Sequence, residues 1–120
     1  MINIKEMHKS YYILEAAKVA EKSLVPIASH GAIVVYRGKI IGKGFNKFCV
    51  PNINRVNPWS IHAEVDAIQD ALRKIPKDYL RKSTLIVVRV NNLGERLNSY
   101  PCENCRNYIE QMGIRIAYYS

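Results

Sequence analysis

Apolar positions change period several times along the chain, and each change marks an element. Over residues 5–22, KEMHKSYYILEAAKVAEK, apolar side chains recur every three to four positions: Met7, Tyr11, Leu14, Ala17, then Val19 or Ala20. That spacing is one face of a helix, so a helix is expected with this stripe inward, ending at Ser23 and Pro26. GAIVVYRGKIIGKGF reads as two β runs around Arg37-Gly38, a hairpin of 32–36 and 39–45. Residues 46–60 hold four Asn and two Pro and read as a long irregular loop, of the kind that binds ligands or covers a site. A second helix is expected over 61–75, with Ile61, Val65, Ile68 and Leu72 inward, Ala63, Ala67 and Ala71 widening the stripe, and Pro76 stopping it. STLIVVRV, residues 83–90, is a continuous apolar run that suits a central strand. After a loop over 91–100, a third helix runs from Pro101 to Met112, Gly113 caps it, and 114–119 form a last strand.

The order α-β-β-α-β-α-β predicts an α/β fold in three layers, a mixed sheet of about four strands with helices on both faces. The final strand-helix-strand unit should be a right-handed parallel crossover. The 120 residues suit one domain over 1–120, and 48 % hydrophobic with 23 % charged residues is ordinary for a globular chain. No run approaches the roughly 18 apolar residues of a membrane helix. MINIKEMHKS lacks the apolar core of a signal peptide, so a cytoplasmic location without membrane contact is expected. Net charge +8 favours anionic partners, nucleotides or nucleic acid. The densest basic clusters, 73–77 and 81–82, read as solvated helix ends.

With three cysteines, an odd number, a disulfide framework is not expected. Cys102 and Cys105 form a CxxC pair behind Pro101, and in a reducing compartment such a pair is more often metal-binding or catalytic. Zinc takes four ligands, and in a catalytic site one of them is water, so a third protein ligand is required. Of the three histidines, His8 falls within the first helix and reads as surface, and His30 precedes the hairpin and reads as structural or rim. His62 opens the second helix and is followed by Ala63 and Glu64. Helix N-termini carry positive partial charge, which favours thiolates, and Pro101 suits a helix start. His62, Cys102 and Cys105 are therefore the expected metal ligands, with an open position where coordinated water becomes acidic. Glu64 can take a proton from that water and pass it to a substrate nitrogen. A thioredoxin-like redox pair explains the cysteines but not His62-Ala63-Glu64. A purely structural zinc site would call on Cys49, which reads as a small buried hydrophobe.

His62-Ala63-Glu64 followed, after 36 intervening residues, by Pro101-Cys102-Glu103-Asn104-Cys105 resembles the zinc-dependent cytidine/deoxycytidylate deaminase superfamily, whose signature is H-x-E then P-C-x-x-C. The resemblance implies a cytidine-deaminase-like fold, one Zn2+ per chain, and hydrolytic deamination of a cytosine nucleoside or nucleotide to its uracil product with release of ammonia. GKGFNKF is similar to the family's Gly-aromatic-Asn segment and implies that Asn46 contacts sugar or base. The backbone near Ala63 would hold the base carbonyl, and Trp59 and Tyr100, with Phe45 and Phe48, are the aromatics placed to stack on it. Deoxycytidylate is the favoured substrate, because the positive charge suits a phosphate and Lys43, Lys47 and Arg55 lie near Asn46 in sequence. The alternatives are a deaminase of cytosine or adenine within single-stranded nucleic acid or tRNA, and a non-catalytic zinc or nucleotide-binding module. Two departures stand out: the loop NNLGERLNS is long, and the chain stops where many members add a further helix and strand. The missing C-terminal helix-strand extension would leave the last strand as a sheet edge, which favours a homo-oligomer.

Overall fold

Helix α1 (Ile4–Ala20) buries the end of the stripe its apolar spacing suggests, Ala17, Val19 and Ala20, but turns Tyr11 and Leu14 outward. In the computed structural model, which describes residues 4–23, 29–48, 60–91, 95–97, 99 and 103–119, Ala16, Val19 and Ala20 are buried, with Tyr12, Ile13 and Ala17 packed beside them. Tyr11 and Leu14 are 54 % and 62 % exposed; the side chain of Met7 lies outside the described positions. The reason is backbone proximity. A Cβ on Gly31 would fall 2.1 Å from the Ala16 carbonyl oxygen and 2.4 Å from the Ala20 nitrogen. Only a helix face of small residues can come that close to a strand, and residue size overrides hydrophobicity in choosing the face.

Strand β1 (Ser29–Tyr36) turns through Arg37 (φ 48°) and Gly38 (φ 77°) into β2 (Lys39–Phe45). Two positive φ values in a two-residue loop match the twist of a hairpin. β1 starts earlier than the apolar pattern indicates, because Ser29 and His30 pair with Val90 and Arg89 at the end of β5 (Thr84–Val90). β3 (Lys47–Phe48) and β4 (Ser60–Ile61) pair with each other within the stretch that reads as loop, each too short to show a period. Helix α2 spans Ala63–Leu72. Past Pro76, a 3-10 helix (Lys77–Lys82) appears that no periodicity announced; Leu80 alone anchors it in the core. β6 (Arg96–Leu97) pairs with the end of β5. Helix α3 (Glu103–Met112) stops at Gly113, whose φ of 75° is the left-handed conformation that ends many helices. β7 (Arg115–Tyr119) then lies parallel to the first half of β5, as the expected crossover requires.

The sheet runs β2-β1-β5, with β6 and β7 sharing the far edge of β5. The expected mixed sheet of about four main strands is thus present, with short pairings added. Ala32, Val34, Leu85 and Val87 face α2 and α3, while Ile33, Val35, Ile86, Val88 and Val90 face α1. These strands are buried on both sides, which makes three layers. Among the described residues no helix is long and apolar enough to cross a membrane.

Helix α2 is held to the outer strand by two devices. A Cβ on Gly44 would lie 2.3 Å from the Ala67 nitrogen and 2.6 Å from the Ala63 oxygen; one on Gly42 would lie 2.4 Å from the Ala67 oxygen. The buried line of α2 is accordingly Ala63, Ala67, Ala71 and Ile68, with Val65 and Leu72 only partly covered. The alanines that seemed to widen the stripe are its centre. Second, the outward N–H groups of β2 are taken up by carboxylates of α2: Lys43 N–H donates to Asp70 Oδ2 at 3.0 Å and Phe45 N–H to Asp66 Oδ2 at 3.2 Å. Two donors that an outer strand would otherwise leave unpaired are thereby satisfied. Substituting Gly44→Ala should destabilise the protein by about 2–3 kcal/mol, because the added methyl meets backbone rather than a movable side chain. Urea unfolding measures this, and an unchanged midpoint would show that α2 lifts off β2 without penalty.

Candidate metal and catalytic centre

The N-terminus of α2 stands over the end of β2, since Gly44 packs against Ala63 and Phe45 bonds to Asp66. His62 is the residue just before this helix. Its backbone is extended (φ −79°, ψ 149°), its carbonyl accepts the Asp66 N–H at 3.1 Å, and its side chain makes no capping bond. The ring turns toward α3, where Nδ1 lies 3.0 Å from Sγ of Cys105. Cys105 sits in the first turn of α3 and is buried. Glu64, only 4 % exposed, completes the group: ligand atoms of His62, Glu64 and Cys105 all lie within 4.8 Å of one another.

An ideal helix would separate His62 and Glu64 by about 200° at roughly 100° per residue. The extended backbone of His62 removes the conflict, because the helical rule starts only at Ala63. The two helices are also joined further along. Tyr108 hydrogen-bonds to Gln69, and burial pushes the Tyr108 hydroxyl above its ordinary pKa against the lowering effect of that bond. Ile109 enters the core shared with α2, with Tyr108 and Met112 packed against it. The positions of His62 and Cys105 are thus set by contacts along α2 and α3 as well as at their ends.

Imidazole nitrogen, thiol sulfur and carboxylate oxygen are the donors that zinc accepts, and this group fits one Zn2+. Cys102, the other expected ligand, lies one residue before α3 and outside the described residues. So do Trp59 and Tyr100, expected beside the base, and Cys49 and Arg55. The side chains of His8, Lys47 and Phe48 are likewise outside the described positions.

Asn46 is buried where the end of β2, the start of β1 and the end of α1 meet. Its Oδ1 accepts the His30 N–H at 2.8 Å, its N–H donates to the His30 carbonyl at 3.3 Å, and its carbonyl accepts Ser23 Oγ–H at 2.8 Å. It ties three elements together at the end of the sheet that carries the metal group. His30 belongs to the same stitch. Two polar residues near the centre escaped the sequence reading. Ser99 is buried and donates to the Val87 carbonyl at 3.0 Å, which pins the approach to the CxxC segment onto the central strand. Asp66 holds the neighbour of Asn46. A lone Ser in a loop and an acidic residue in a first helical turn carry no signal that separates them from solvated residues.

Comparison with known proteins bears on the same residues. The family described as "Cytidine and deoxycytidylate deaminase zinc-binding region" matches residues 6–120. The tRNA-specific adenosine deaminase of Aquifex aeolicus is 34 % identical over 85 residues, 68 % of this chain and 51 % of that protein. The tRNA-specific adenosine deaminase subunit tad2 of Schizosaccharomyces pombe is 29 % identical over 116 residues, 93 % of this chain and 25 % of that one. The chain thus spans about half the length of the first and a quarter of the second. Among solved structures, the dCMP deaminase from cyanophage S-TIM5 superposes with a TM-score of 0.65 at 22 % identity, over 98 % of this chain and 84 % of its own. The cytidine deaminase from Burkholderia pseudomallei gives 0.61 at 23 % identity, over 87 % and 76 %. Identities this low speak to the fold alone. A match over nearly the whole length, with His62, Glu64 and Cys105 gathered at two helix starts, means that the chain belongs to the zinc-binding cytidine and deoxycytidylate deaminase family.

Proposed function

We propose that this chain hydrolytically removes the exocyclic amine of a nucleobase, and that its substrate is a free cytosine nucleotide of the deoxycytidylate type. The observation that carries the reaction is the buried carboxylate of Glu64 within 4.8 Å of the donor atoms of His62 and Cys105. His62 and Cys105, with Cys102, would hold Zn2+, which when bound supplies the Lewis acidity that makes water a nucleophile at neutral pH. Glu64 receives the proton that water gives up and delivers it to the ring nitrogen. It then carries the second water proton to the amine as the carbon–nitrogen bond breaks, so that water and aminated base become ammonia and the oxo product. Its burial keeps bulk water from competing for either proton. The first N–H groups of α2, around Ala63, have no acceptor within the helix and suit a base carbonyl. Because Oδ1 of Asn46 already accepts the His30 N–H, its contact with a sugar or base would run mainly through the amide NH2. Trp59 and Tyr100 supply the flanking aromatic surfaces in this reading.

The cytosine nucleotide reading draws support from the match to the cytidine and deoxycytidylate deaminase family over residues 6–120 and from net charge +8, which suits a phosphate. A second reading, deamination of adenine or cytosine within RNA, draws support from 34 % identity to a tRNA-specific adenosine deaminase. Ammonia release from deoxycytidylate, cytidine, adenosine and a tRNA anticodon stem-loop separates them. Turnover of deoxycytidylate is the expected result, turnover of the stem-loop alone selects the second reading, and release from none leaves a non-catalytic binding module.

Two substitutions separate proton transfer from metal binding. Glu64→Ala should retain stoichiometric zinc while kcat falls about a thousandfold. Near-normal turnover would remove Glu64 from the proton path. Cys105→Ala should lose zinc together with stability, read as metal content and thermal midpoint, because binding and folding are coupled. Among the described residues β7 pairs with β5 alone. An open strand of this kind supports assembly into a homo-oligomer; sedimentation at micromolar concentration should give more than the 13.8 kDa of one chain.

A further inference from the structure

The end of the sheet away from the metal group carries a second arrangement of chemistry-bearing side chains. Val35 pairs with Thr84 at the start of β5, which brings the β1–β2 turn beside the 3-10 helix that precedes that strand. There Tyr36 and Tyr79 stack with ring centroids 5.7 Å apart and planes within 9°. The guanidinium of Arg37 lies 5.3 Å from the centre of the Tyr36 ring. Lys77, Arg81 and Lys82 are exposed on the same 3-10 helix, with the stem of Arg81 passing close to Gly113 at the end of α3, and Asp78 is its one acidic residue. Tyr79 remains 42 % exposed although one ring already lies against it. At about 3.3 Å per residue, Tyr36 stands roughly 20 Å along β1 from His30, at the end where the metal group sits.

Taken singly, these are surface residues, and the basic run reads as a solvated helix end. Placed together, they put a flat aromatic step and four cations on one turn and the 3-10 helix beside it. A bilayer surface would call for an aliphatic or indole side chain free to insert, whereas Tyr79 is held flat against a second ring. An acidic peptide would use the cations and leave the aromatic step without a task. A single nucleic-acid strand uses both, since its bases offer flat faces and its phosphates recur beside them.

We propose that this end of the sheet binds single-stranded nucleic acid, with Tyr79 stacking on a base and Arg37, Lys77, Arg81 and Lys82 holding phosphates. The surface is separate from the deamination site and does not depend on which base that site accepts.

The test uses the full chain loaded with zinc and a fluorescein-labelled single-stranded RNA of about 20 nucleotides, read by anisotropy at about 50 and 200 mM salt. Saturable binding is expected at the lower salt, weakening about tenfold or more at the higher. Tyr79→Ala should weaken binding about fivefold or more. Tyr79→Leu, which keeps an apolar contact on Tyr36, should do the same and guards against a folding defect in the first variant. The double change Arg81→Gln, Lys82→Gln should weaken binding and flatten its salt dependence. Lys18→Gln with Lys22→Gln removes the same charge from the exposed end of α1 and should leave affinity within about twofold. The proposal is overturned if the unaltered chain does not bind at low salt, or if the control pair weakens binding as much as the Arg81 and Lys82 pair. It is also overturned if Tyr79→Leu binds normally, or if phosphatidylserine vesicles are bound and RNA is not. Binding is measured without turnover, so failure of the deaminase reading leaves this result intact.

Discussion

The whole arrangement rests on how closely α2 lies on β2. Glycines at 42 and 44 let the helix backbone approach the strand to a distance that no Cβ would tolerate, and alanines at 63, 67 and 71 meet them from the other side. This contact fixes the height and direction of α2, and with them where His62 and Glu64 stand relative to the sheet. It also brings Asp66 and Asp70 within reach of the N–H groups of the outer strand. Small residues contribute little apolar area, so their value here is geometric: they give a close-packed seam with one permitted register. The same logic repeats across the sheet, where Gly31 admits Ala16 and Ala20 of α1.

A second constraint is the burial of a carboxylate. Removing Glu64 from water costs stability unless a charge or a hydrogen bond offsets it. The residues that surround it are a nitrogen and a sulfur donor from two different helices, suited to a cation. Departures from what is best for stability concentrate where chemistry is done, and this one coincides with the strongest motif in the chain. The extended backbone of His62 belongs to the same device, since it leaves the imidazole pointing across to α3 instead of capping its own helix.

The two ends of the sheet differ in character. One gathers metal donors, the buried Asn46 and the stitch to His30. The other gathers stacked tyrosines and exposed positive charge on the 3-10 helix. The second grouping has no counterpart in the motif, and it accounts for part of the basic excess that scattered residues left unexplained. A fold does not fix function, and the proposed deamination would occupy one end of this sheet and leave the rest of the surface to specialise.

The residues of one motif, the α/β class and the order of the main elements were determined by the sequence alone. His62, Glu64 and Cys105 announce themselves because donor chemistry at helix starts has few other uses, and long apolar runs such as 83–90 can be little else than buried strand. What the sequence could not decide was which face a helix buries, because periodicity records hydrophobicity and not the depth to which a neighbouring glycine lets a backbone approach. Tyr11 and Leu14 fit the helical spacing and lie outward, Ala16 outside that spacing lies inward, and on α2 the expected alanines lie deeper than Val65 and Leu72. Nor could it show that Asn46 is a tie between three segments, that Ser99 is anchored to β5, or that Tyr36 meets Tyr79 across 43 positions of chain. Those are long-range contacts between side chains with no local signature. They exist only once the sheet has set the distances between elements that are far apart along the chain.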